Sequence, residues 1–499
     1  MNVELFYRLC RKALRGIALV LTGVVCLLNI LYTSEVASTG NEYVTVSGHF
    51  LRSLPMLVIV GCIVVILSCF REKLEAVDER RLFRILAGIY AVLAAYLIFN
   101  VDPLLRADAK TVFTTALDIK QGIFSAFQPG YYMYRYPHQL GLMTYDRLLT
   151  EFSPNPLFVF FVNFLLVLGI NRTAWKISEA LFHDRLTNVL TIILSFLFLP
   201  QFFFILFAYG LIPGFFFMLL GFYHAIMYCQ GSRLQDMAIM LLSVGLAVML
   251  KQNFLIGGIA IGIFLFLQML KKRWFSCLAV LAVLILSMIL PAEGIKLCYG
   301  KQVDVQLNNG SPTVLWVAMG TDIDNNVRGP GWYDSSSWNL YNAAGYDAEV
   351  ASALGKEKLT ENWNKIRKEP ARARQFFLEK TVSQWCDPMY ESTWSGPLED
   401  CGQYTHTDIL RSIYTGGTWA ASITGYMKTL CIGLWVFALV YLILYGRQTG
   451  WEPMYLYFIG GLLFHTIWEG KSQYTYPYLF VLIPFAACAI RKILVTLKS

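Results

Sequence analysis

Residues 101–141 read VDPLLRADAKTVFTTALDIKQGIFSAFQPGYYMYRYPHQLG and lie between two strongly apolar segments of the chain. The stretch contains four tyrosines and the charged or titratable residues Asp102, Arg106, Asp108, Lys110, Arg135 and His138. So many polar and aromatic side chains beside a membrane span can form a hydrated site at the bilayer surface. We therefore take this loop as the part of the fold that the apolar segments around it support.

A helical pattern begins at Asp108 and should end near Gly122. One face of this helix carries the apolar residues Val112, Ala116, Ile119 and Ile123. A helix with one apolar face lies flat in the membrane interface and does not cross the bilayer. Asp108, in the first turn, can act as an N-cap or can face a polar cleft, and these two roles are compatible.

The rest of the loop contains a kinked linker and a second short helix. Pro137 prevents a continuous helix through Tyr136, and residues 140–152 then form a helical pattern that is too short to span a bilayer. Asp102 can cap the preceding span, and Arg135 can pair with either carboxylate of the loop. The sequence alone leaves these alternatives open.

Composition sets the fold class. The 499 residues are 56% hydrophobic and 15% charged, which is typical of an all-α polytopic membrane protein. We count about twelve apolar runs of spanning length, at 16–33, 53–70, 82–100, 155–172, 186–207, 213–229, 236–250, 254–271, 276–293, 424–445, 453–467 and 477–490. No small-residue cleavage site follows the first run, so we expect it to be a retained span.

The distribution of Lys and Arg predicts the orientation. Basic residues concentrate in the segments 11–15, 71–84, 172–185, 271–273 and 491–499, whereas the intervening short loops carry one or none. By the positive-inside rule, both termini are cytoplasmic, in a cell membrane. The net charge of +8 reflects this bias and does not indicate nucleic-acid binding. The chain then divides into spans 1–100, an extracytoplasmic loop 101–154, spans 155–293, an extracytoplasmic segment 294–423 and spans 424–499.

The long segment 294–423 should be mainly helical, with one or two soluble helices within 346–382. Its stretches 329–342 and 385–404 are rich in turns, Trp and Tyr. Exposed aromatic and polar side chains suit sugar rings, and they equally suit a loop resting on the membrane interface. Cys386 and Cys401 can form a disulfide if the compartment is oxidising. Residues 1–81 carry no charge within their spans and look structural.

Two further turns on the same face carry unexpected charge. Lys251 stands at a helix junction where the positive-inside rule needs no cation, so it either extends along the interface or points at a phosphate. The final turn, between the last two spans, contains His465, Glu469, Lys471 and Tyr474. These turns, the 101–154 loop and the 294–423 segment can converge on one cavity at the outer leaflet.

An acid, several cations and aromatic rings in one cavity would make a glycosyl-transfer site. Nucleotide sugars are cytoplasmic, so an outward-facing enzyme needs a donor that a lipid carries across the membrane. A polyprenyl-phosphate sugar meets this requirement, and a cation must neutralise its phosphate. The acceptor would be an extracytoplasmic glycan or a protein.

The chain resembles the GT-C glycosyltransferases, the polytopic enzymes that include protein O-mannosyltransferases and aminoarabinose transferases. The resemblance rests on Asp108 opening a surface helix, on the aromatic element Tyr134–His138, and on the motifs that begin at Lys251 and Trp468. The last two motifs are similar to those of Gram-positive wall-polymer enzymes. Motifs of this kind are loose, while the architectural likeness covers most of the chain.

The resemblance implies an inverting transfer with Asp108 as the base. It implies that the donor phosphate binds Lys251, Arg135 and Lys471, and that the substrate contacts Tyr136, His138, Gln139, Gln252, Glu469 and Tyr474. Many relatives have a second acidic residue beside the catalytic Asp, whereas here Ala109 follows Asp108. Asp102 is therefore a rival base. We assign no metal ligand, and a divalent metal ion is the one cofactor that the resemblance leaves open.

Two other classes of protein remain as alternatives. A transporter of lipid-linked glycans would explain the many spans, but transporters place polar residues near the middle of the bilayer and often contain repeats. The spans here are nearly free of charge. A noncatalytic glycolipid-binding protein would keep the aromatic residues, and the presence of Asp108 argues against it.

Overall fold

The chain folds into a helical membrane-type bundle with one two-stranded sheet. The structure is a computed structural model, and it describes residues 3–37, 40–272, 277–305, 307, 309–397, 403–446 and 450–497. The N-terminal part contains the helices Val3–Leu31, Phe50–Cys69, Arg71–Ala76 and Glu79–Phe99 and the antiparallel strands Tyr32–Val36 and Val44–Gly48. This part is therefore not only helical, because a β-hairpin connects its first two long helices.

The loop that follows has the predicted short helices. Ala107–Lys120 and Leu140–Thr150 confirm the two helical patterns and pack on each other; the short turns Ser125–Phe127, Tyr132–Arg135 and Pro137–Gln139 connect them. The first helix ends at Lys120 and Gly122 follows with a φ of +75°. Ile123 lies beyond the helix and is exposed, so the buried face ends at Ile119. The orientation of both helices relative to a bilayer stays a prediction.

The middle and the C-terminal parts form the main bundle. The middle helices are Pro156–Phe182, Arg185–Leu197, Pro200–Phe203, Leu211–Gly231, Leu234–Leu250, Leu255–Lys272 and Cys277–Val303, with short turns at Phe204–Leu206 and Gln252–Phe254. The C-terminal helices are Thr418–Tyr445, Glu452–Ile467, Tyr476–Phe480 and Ile483–Thr496, with a short turn at Ser472–Tyr474. Thr418–Tyr445 packs against both Ile483–Thr496 and the first helix, so the two ends of the chain share one core.

Each of the twelve predicted apolar runs lies largely in a helix, but fewer than twelve are long, straight spans. Within the described residues, eight helices are long and apolar enough to cross a membrane, and two bent pairs raise the number to ten. The bends of 49° and 46° interrupt the runs 186–207 and 477–490. Leu234–Leu250 and Glu452–Ile467 have only 17 and 16 residues, which is about 25 Å of helix. The multi-span, all-α prediction is confirmed, and the count of twelve is not.

The segment between the two groups of spans is mainly helical, as predicted. Its helices are Thr313–Thr321, Ser336–Ala343, Ala348–Lys368, Pro370–Trp385 and Asp408–Tyr414. Ala348–Lys368 and Pro370–Trp385 correspond to the soluble helices expected within 346–382. The proposed disulfide involves Cys401, which lies outside the described residues.

Candidate functional site

A cavity of about 660 Å³ lies where several parts of the chain meet, among them the turn of Tyr209 and the helix Cys277–Val303, as well as the five that follow. The 101–154 loop, the Lys251 turn, the 294–423 segment and the turn after Ile467 all contribute lining residues, as the sequence predicted. The fifth contributor is the N-terminal hairpin, through Glu42. Nine of the eleven predicted site residues line this cavity, namely Asp108, Tyr136, His138, Gln139, Lys251, Gln252, Glu469, Lys471 and Tyr474.

Asp108 is the second residue of its helix, and its side chain faces the cavity. The N-cap position belongs to Arg106, and no side chain caps this helix end, so the N-cap interpretation of Asp108 is wrong. Ala107 has a φ of 47°, a left-handed conformation that places the following carboxylate at the cavity wall. The hydroxyl of Tyr209 donates a hydrogen bond of 3.3 Å to the Asp108 carboxylate.

Tyr209 connects Asp108 to the aromatic linker of the loop. Its hydroxyl accepts a 2.6 Å hydrogen bond from the Gln139 side-chain amide and lies 3.4 Å from the hydroxyl of Tyr132. Burial raises the pKa of Tyr209, so the phenol stays protonated as a donor to Asp108. The next residue, Gly210, has a φ of +68°, and an added Cβ would lie 2.4 Å from the Leu250 carbonyl oxygen. This close approach sets Tyr209 beside Lys251.

Lys251 places its ammonium between two tyrosine rings. The Nζ atom lies 4.6 Å from the centre of the Tyr209 ring and 5.1 Å from that of Tyr474. Lys251 is only 9% exposed, and no carboxylate of the described chain lies within 4 Å of its nitrogen. Burial, helped by the neighbouring Lys471, lowers the pKa of Lys251 to about 7. Its buried ammonium faces the cavity, which contradicts the alternative in which it extends along the membrane interface.

Lys471 lines the same cavity and is fully neutralised. Its ammonium lies 2.7 Å from the Glu42 carboxylate and 3.8 Å from that of Glu391. Burial alone would lower the pKa of Lys471, but these two carboxylates outweigh burial and raise it. Burial and the neighbouring Glu42 raise the pKa of Glu391. The guanidinium of Arg328 lies 3.4 Å from Glu42, and together with Lys471 it holds the pKa of Glu42 below its usual value despite burial.

The remaining cavity cation, Lys296, is also paired. It lies 2.7 Å from the Glu293 carboxylate and donates a 2.8 Å hydrogen bond to the Asn309 side chain. Of the lysines and arginines that line the cavity in the described chain, Lys251 therefore differs from the others in having no carboxylate partner.

Glu469 is a buried carboxyl group without a partner. It is 5% exposed and lines the cavity. Its carboxyl group forms no hydrogen bond or ion pair with another residue of the described chain. Burial raises the pKa of Glu469 to about 7, and Lys471 offsets part of that rise. The backbone around it is fixed, because Lys380 donates a 2.5 Å hydrogen bond to the Trp468 carbonyl and Gly470 donates one of 2.8 Å to Gly331.

An aromatic wall adjoins Glu469. The rings of Trp316 and Trp468 are stacked, with centres 6.2 Å apart and an angle of 18° between their planes. Tyr136 lies 5.9 Å from Trp316, and Tyr333 lies 6.5 Å from it. These four side chains line the cavity and present apolar ring surfaces beside polar groups. We call Tyr136, Trp316, Tyr333 and Trp468 the aromatic wall.

His138 is the neutral member of the site. Burial lowers its pKa to about 4, and the positive charge of Lys251 contributes to the same shift. At neutral pH its imidazole can donate one hydrogen bond and accept another. Gln139 and Gln252 add amide groups to the same lining.

Two predicted residues do not reach the cavity. Asp102 pairs instead with His406, at 3.0 Å, because the backbone of Asp102 bonds to Tyr404 at the far end of the 294–423 segment. Arg135 lies 5.1 Å from the centre of the Tyr136 ring and 5.7 Å from that of Trp338, and it does not line the cavity. Within the described ranges, no three His, Cys, Asp or Glu side chains lie close enough together to hold a metal ion.

Glu42, Tyr209 and Trp316 are among the cavity residues that the sequence analysis did not identify. Glu42 lies in the hairpin of a region that we had interpreted as structural, and the polar loop between two spans was its only signal. Tyr209 stands next to a glycine in an otherwise apolar turn. Trp316 belongs to a short apolar helix, Thr313–Thr321, that resembles core sequence.

Comparison of the sequence with models of protein families and with curated proteins found no match.

Proposed function

We propose that the protein is an integral membrane glycosyltransferase that transfers a sugar from a polyprenyl-phosphate donor to an extracytoplasmic glycan or protein. The observation that carries the proposal is the meeting of a carboxylate, Asp108, and an unpaired ammonium, Lys251, on either side of one tyrosine. Tyr209 donates to the carboxylate and places its ring under the ammonium. A base and an anion-binding cation held this close are what glycosyl transfer from a phosphate requires.

In the proposed reaction, Asp108 accepts the proton of the acceptor hydroxyl. The acceptor oxygen then forms a bond to the anomeric carbon while the bond from that carbon to the phosphate oxygen breaks. Polyprenyl phosphate leaves with the bonding electron pair, and Lys251 neutralises the charge that develops on its oxygen. Attack opposite the leaving group inverts the anomeric configuration. The hydrogen bond from the Tyr209 hydroxyl keeps the Asp108 carboxylate oriented, so the carboxylate accepts the proton from one fixed direction.

The spans account for the choice of a lipid-linked donor. The helix Cys277–Val303 carries Ala292, Glu293 and Lys296 at the cavity, whereas most of its other side chains are exposed and apolar. A polyprenyl tail can lie along such a surface in the bilayer while its phosphate enters the cavity. This arrangement also favours transfer over transport, because the polar residues cluster at one end of the spans.

The decisive experiment offers the purified protein a panel of radiolabelled polyprenyl-phosphate sugars together with cell-envelope acceptors. Transfer of label to an acceptor, or slow donor hydrolysis, would support the proposal, provided that Asp108→Asn abolishes it. Binding of a donor without any transfer or hydrolysis would favour a glycolipid-binding protein. Movement of an intact donor across the bilayer of proteoliposomes would favour a transporter.

The proposed orientation has a separate test. Single cysteines at Ser335 and Asn342 should react with an impermeant maleimide added to intact cells, because the 294–423 segment faces outward in the proposal. A cysteine at Glu75 should react only after permeabilisation, since residues 71–84 are rich in Lys and Arg. Labelling of Glu75→Cys in intact cells would place the cavity on the cytoplasmic side.

A further inference from the structure

Glu469 and the aromatic wall line the cavity but have no function in the transfer chemistry described above, which uses Asp108, Tyr209 and Lys251. Glu469 and Trp468 lie on the turn after Ile467, and Trp316 and Tyr333 lie on the 294–423 segment. Tyr136 lies on the same loop as Asp108 and packs on Trp316. A buried carboxyl group without a partner is costly, and proteins keep such groups where a ligand supplies the missing hydrogen bonds.

We propose that Glu469 and the aromatic wall form the subsite for the transferred sugar and that this subsite selects sugars without a negative charge. The inference rests on the proposed function. Hydroxyl groups of a neutral sugar can donate hydrogen bonds to Glu469, while the C–H face of the ring packs on Trp316 or Trp468. A sugar carboxylate in the same place would meet a buried carboxylate, and like charges in an enclosed site repel strongly.

The wall is suited to this task because it is rigid. Trp468 is stacked between Trp316 and Phe464, whose ring centre lies 4.9 Å away. The carbonyl of Trp468 accepts a hydrogen bond from Lys380. Gly470, on the other side of Glu469, forms an isolated parallel β-bridge with Trp332. Because the backbone on both sides of Glu469 is held, its side chain starts from a fixed point on the cavity wall. Discrimination by charge then follows from geometry that is present before the sugar binds.

The cations of the cavity are not available to neutralise the negative charge of an anionic sugar. Lys471 and Arg328 are held by Glu42, and Lys296 is held by Glu293. Lys251 is the cation that remains unpaired, and in the proposed function the donor phosphate occupies it. A second negative charge on the sugar would therefore find no free partner among these groups.

The test compares two donors that differ in charge, polyprenyl-phosphate hexose and polyprenyl-phosphate hexuronate, with full-length protein in detergent at pH 8. Tryptophan fluorescence reports binding, since Trp316 and Trp468 line the subsite. We expect the hexose donor to bind at least tenfold more tightly than the hexuronate donor. Glu469→Gln should reduce this ratio to about threefold or less, mainly by improving hexuronate binding.

The control is Asp102→Asn, which removes a carboxylate that pairs with His406 away from the cavity. It should leave the ratio of the two affinities unchanged. Equal binding of both donors by the unmodified protein would overturn the inference, as would an unchanged ratio in Glu469→Gln. If neither donor binds or is turned over, the proposed function itself fails. If both are turned over without discrimination, only the sugar subsite fails.

Discussion

The Lys251 turn and the Lys471 turn have the same local structure and opposite surroundings. Each lysine follows an apolar helix and has extended backbone angles, with φ near −156° and −159°. Each is followed by a three-residue 3₁₀ helix that ends in an aromatic residue, Phe254 in one turn and Tyr474 in the other. Yet the first ammonium meets two aromatic rings and the second meets two carboxylates.

The difference shows that a lysine motif at a helix junction does not define a phosphate site. Both turns satisfied the same sequence criterion, and we predicted a phosphate contact for both. The partners decide between them, because a cation already paired with buried carboxylates has little charge left to offer a ligand. We therefore propose that Lys251 binds the donor phosphate and that Lys471 has a structural function.

The largest expected effect concerns Asp108, the carboxylate that shares Tyr209 with Lys251. Asp108→Asn should reduce turnover by about 10²–10⁴-fold, the usual contribution of general-base catalysis, with donor binding nearly unchanged. Stability should also be retained, because Asp108 does not cap its helix. The rates of single-turnover transfer measure this effect.

Asp102→Asn is the parallel variant and should remain active, because Asp102 pairs with His406 away from the cavity. An inactive Asp102 variant beside an active Asp108 variant would move the base out of the cavity. It would also remove the reason for grouping Asp108 with Lys251.

The second effect is on stability and belongs to the Lys471 turn. Lys471→Met leaves Glu391 buried without a cation and leaves Glu42 with Arg328 alone, and removing one partner of a buried ion pair costs about 3–5 kcal/mol. Thermal unfolding in detergent should shift strongly downward. The double variant Glu42→Gln with Lys471→Met should recover part of the loss, because it removes one of the two buried carboxylates. A Lys471→Met protein as stable as the original would show that the two lysines do not differ in this way.

The third effect is on donor affinity and belongs to the Lys251 turn. Lys251→Met should weaken donor binding by about 1.5–3 kcal/mol, the contribution of a hydrogen bond to a charged group, which is roughly 10- to 150-fold. Thermal stability should be equal or higher, since a buried unpaired cation is removed. Equilibrium binding of a polyprenyl-phosphate sugar tests this, and unchanged affinity would assign the phosphate to another group.

The smallest effect is a pH dependence that only the Lys251 turn should produce. The pKa of Lys251 is about 7, below its usual value of 10.5, so the free site loses its positive charge as the pH rises through 7. Donor affinity should therefore fall by roughly tenfold between pH 7 and pH 8.5. The phosphodiester of the donor does not titrate in this range. Binding measured across the range should show the fall.

The controls for this pH dependence separate Lys251 from its neighbours. The fall should disappear in Lys251→Met. It should persist in Glu469→Gln, although Glu469 titrates in the same range. The free protein should show the opposite trend in stability. The unfolded chain binds more protons than the folded one between the lowered pKa and 10.5, so the Lys251 contribution to the free energy of unfolding rises with pH there. A donor affinity that is flat with pH would contradict an unpaired, buried Lys251.

The sequence revealed the site residues whose signal is local, and it did not reveal those that depend on contacts with residues far away in the sequence. Asp108, His138 and Gln139 were predictable because charge and aromatic residues cluster locally in one loop between spans. Lys251 and Glu469 were predictable because each is an unexpected charge at a helix junction. The helical elements followed from apolar periodicity, including the two short helices of the 101–154 loop. The bends within two apolar runs did not, because hydropathy does not distinguish a straight span from a broken one.

The parts that the sequence did not reveal depend on distant partners. Glu42 and Lys471 are 429 residues apart, and nothing near either residue indicates the other. For this reason, nothing in the sequence indicated that the hairpin reaches the cavity. The exclusion of Arg135 and Asp102 from the cavity also follows from tertiary contacts, with Trp338 and His406 respectively.

The long separation of Glu42 from Lys471 has a consequence for biosynthesis. Arg11 and Glu452, 441 residues apart, form a similar pair at 2.9 Å between the first helix and a late one. A chain that emerges from the ribosome starting at its N-terminus must insert its first helices long before these partners exist. Glu42 therefore meets Arg328 first and Lys471 only when nearly the whole chain has been made. The cavity is completed only after the final helices are made, so a prematurely terminated chain lacks the wall that carries Glu469 and Lys471.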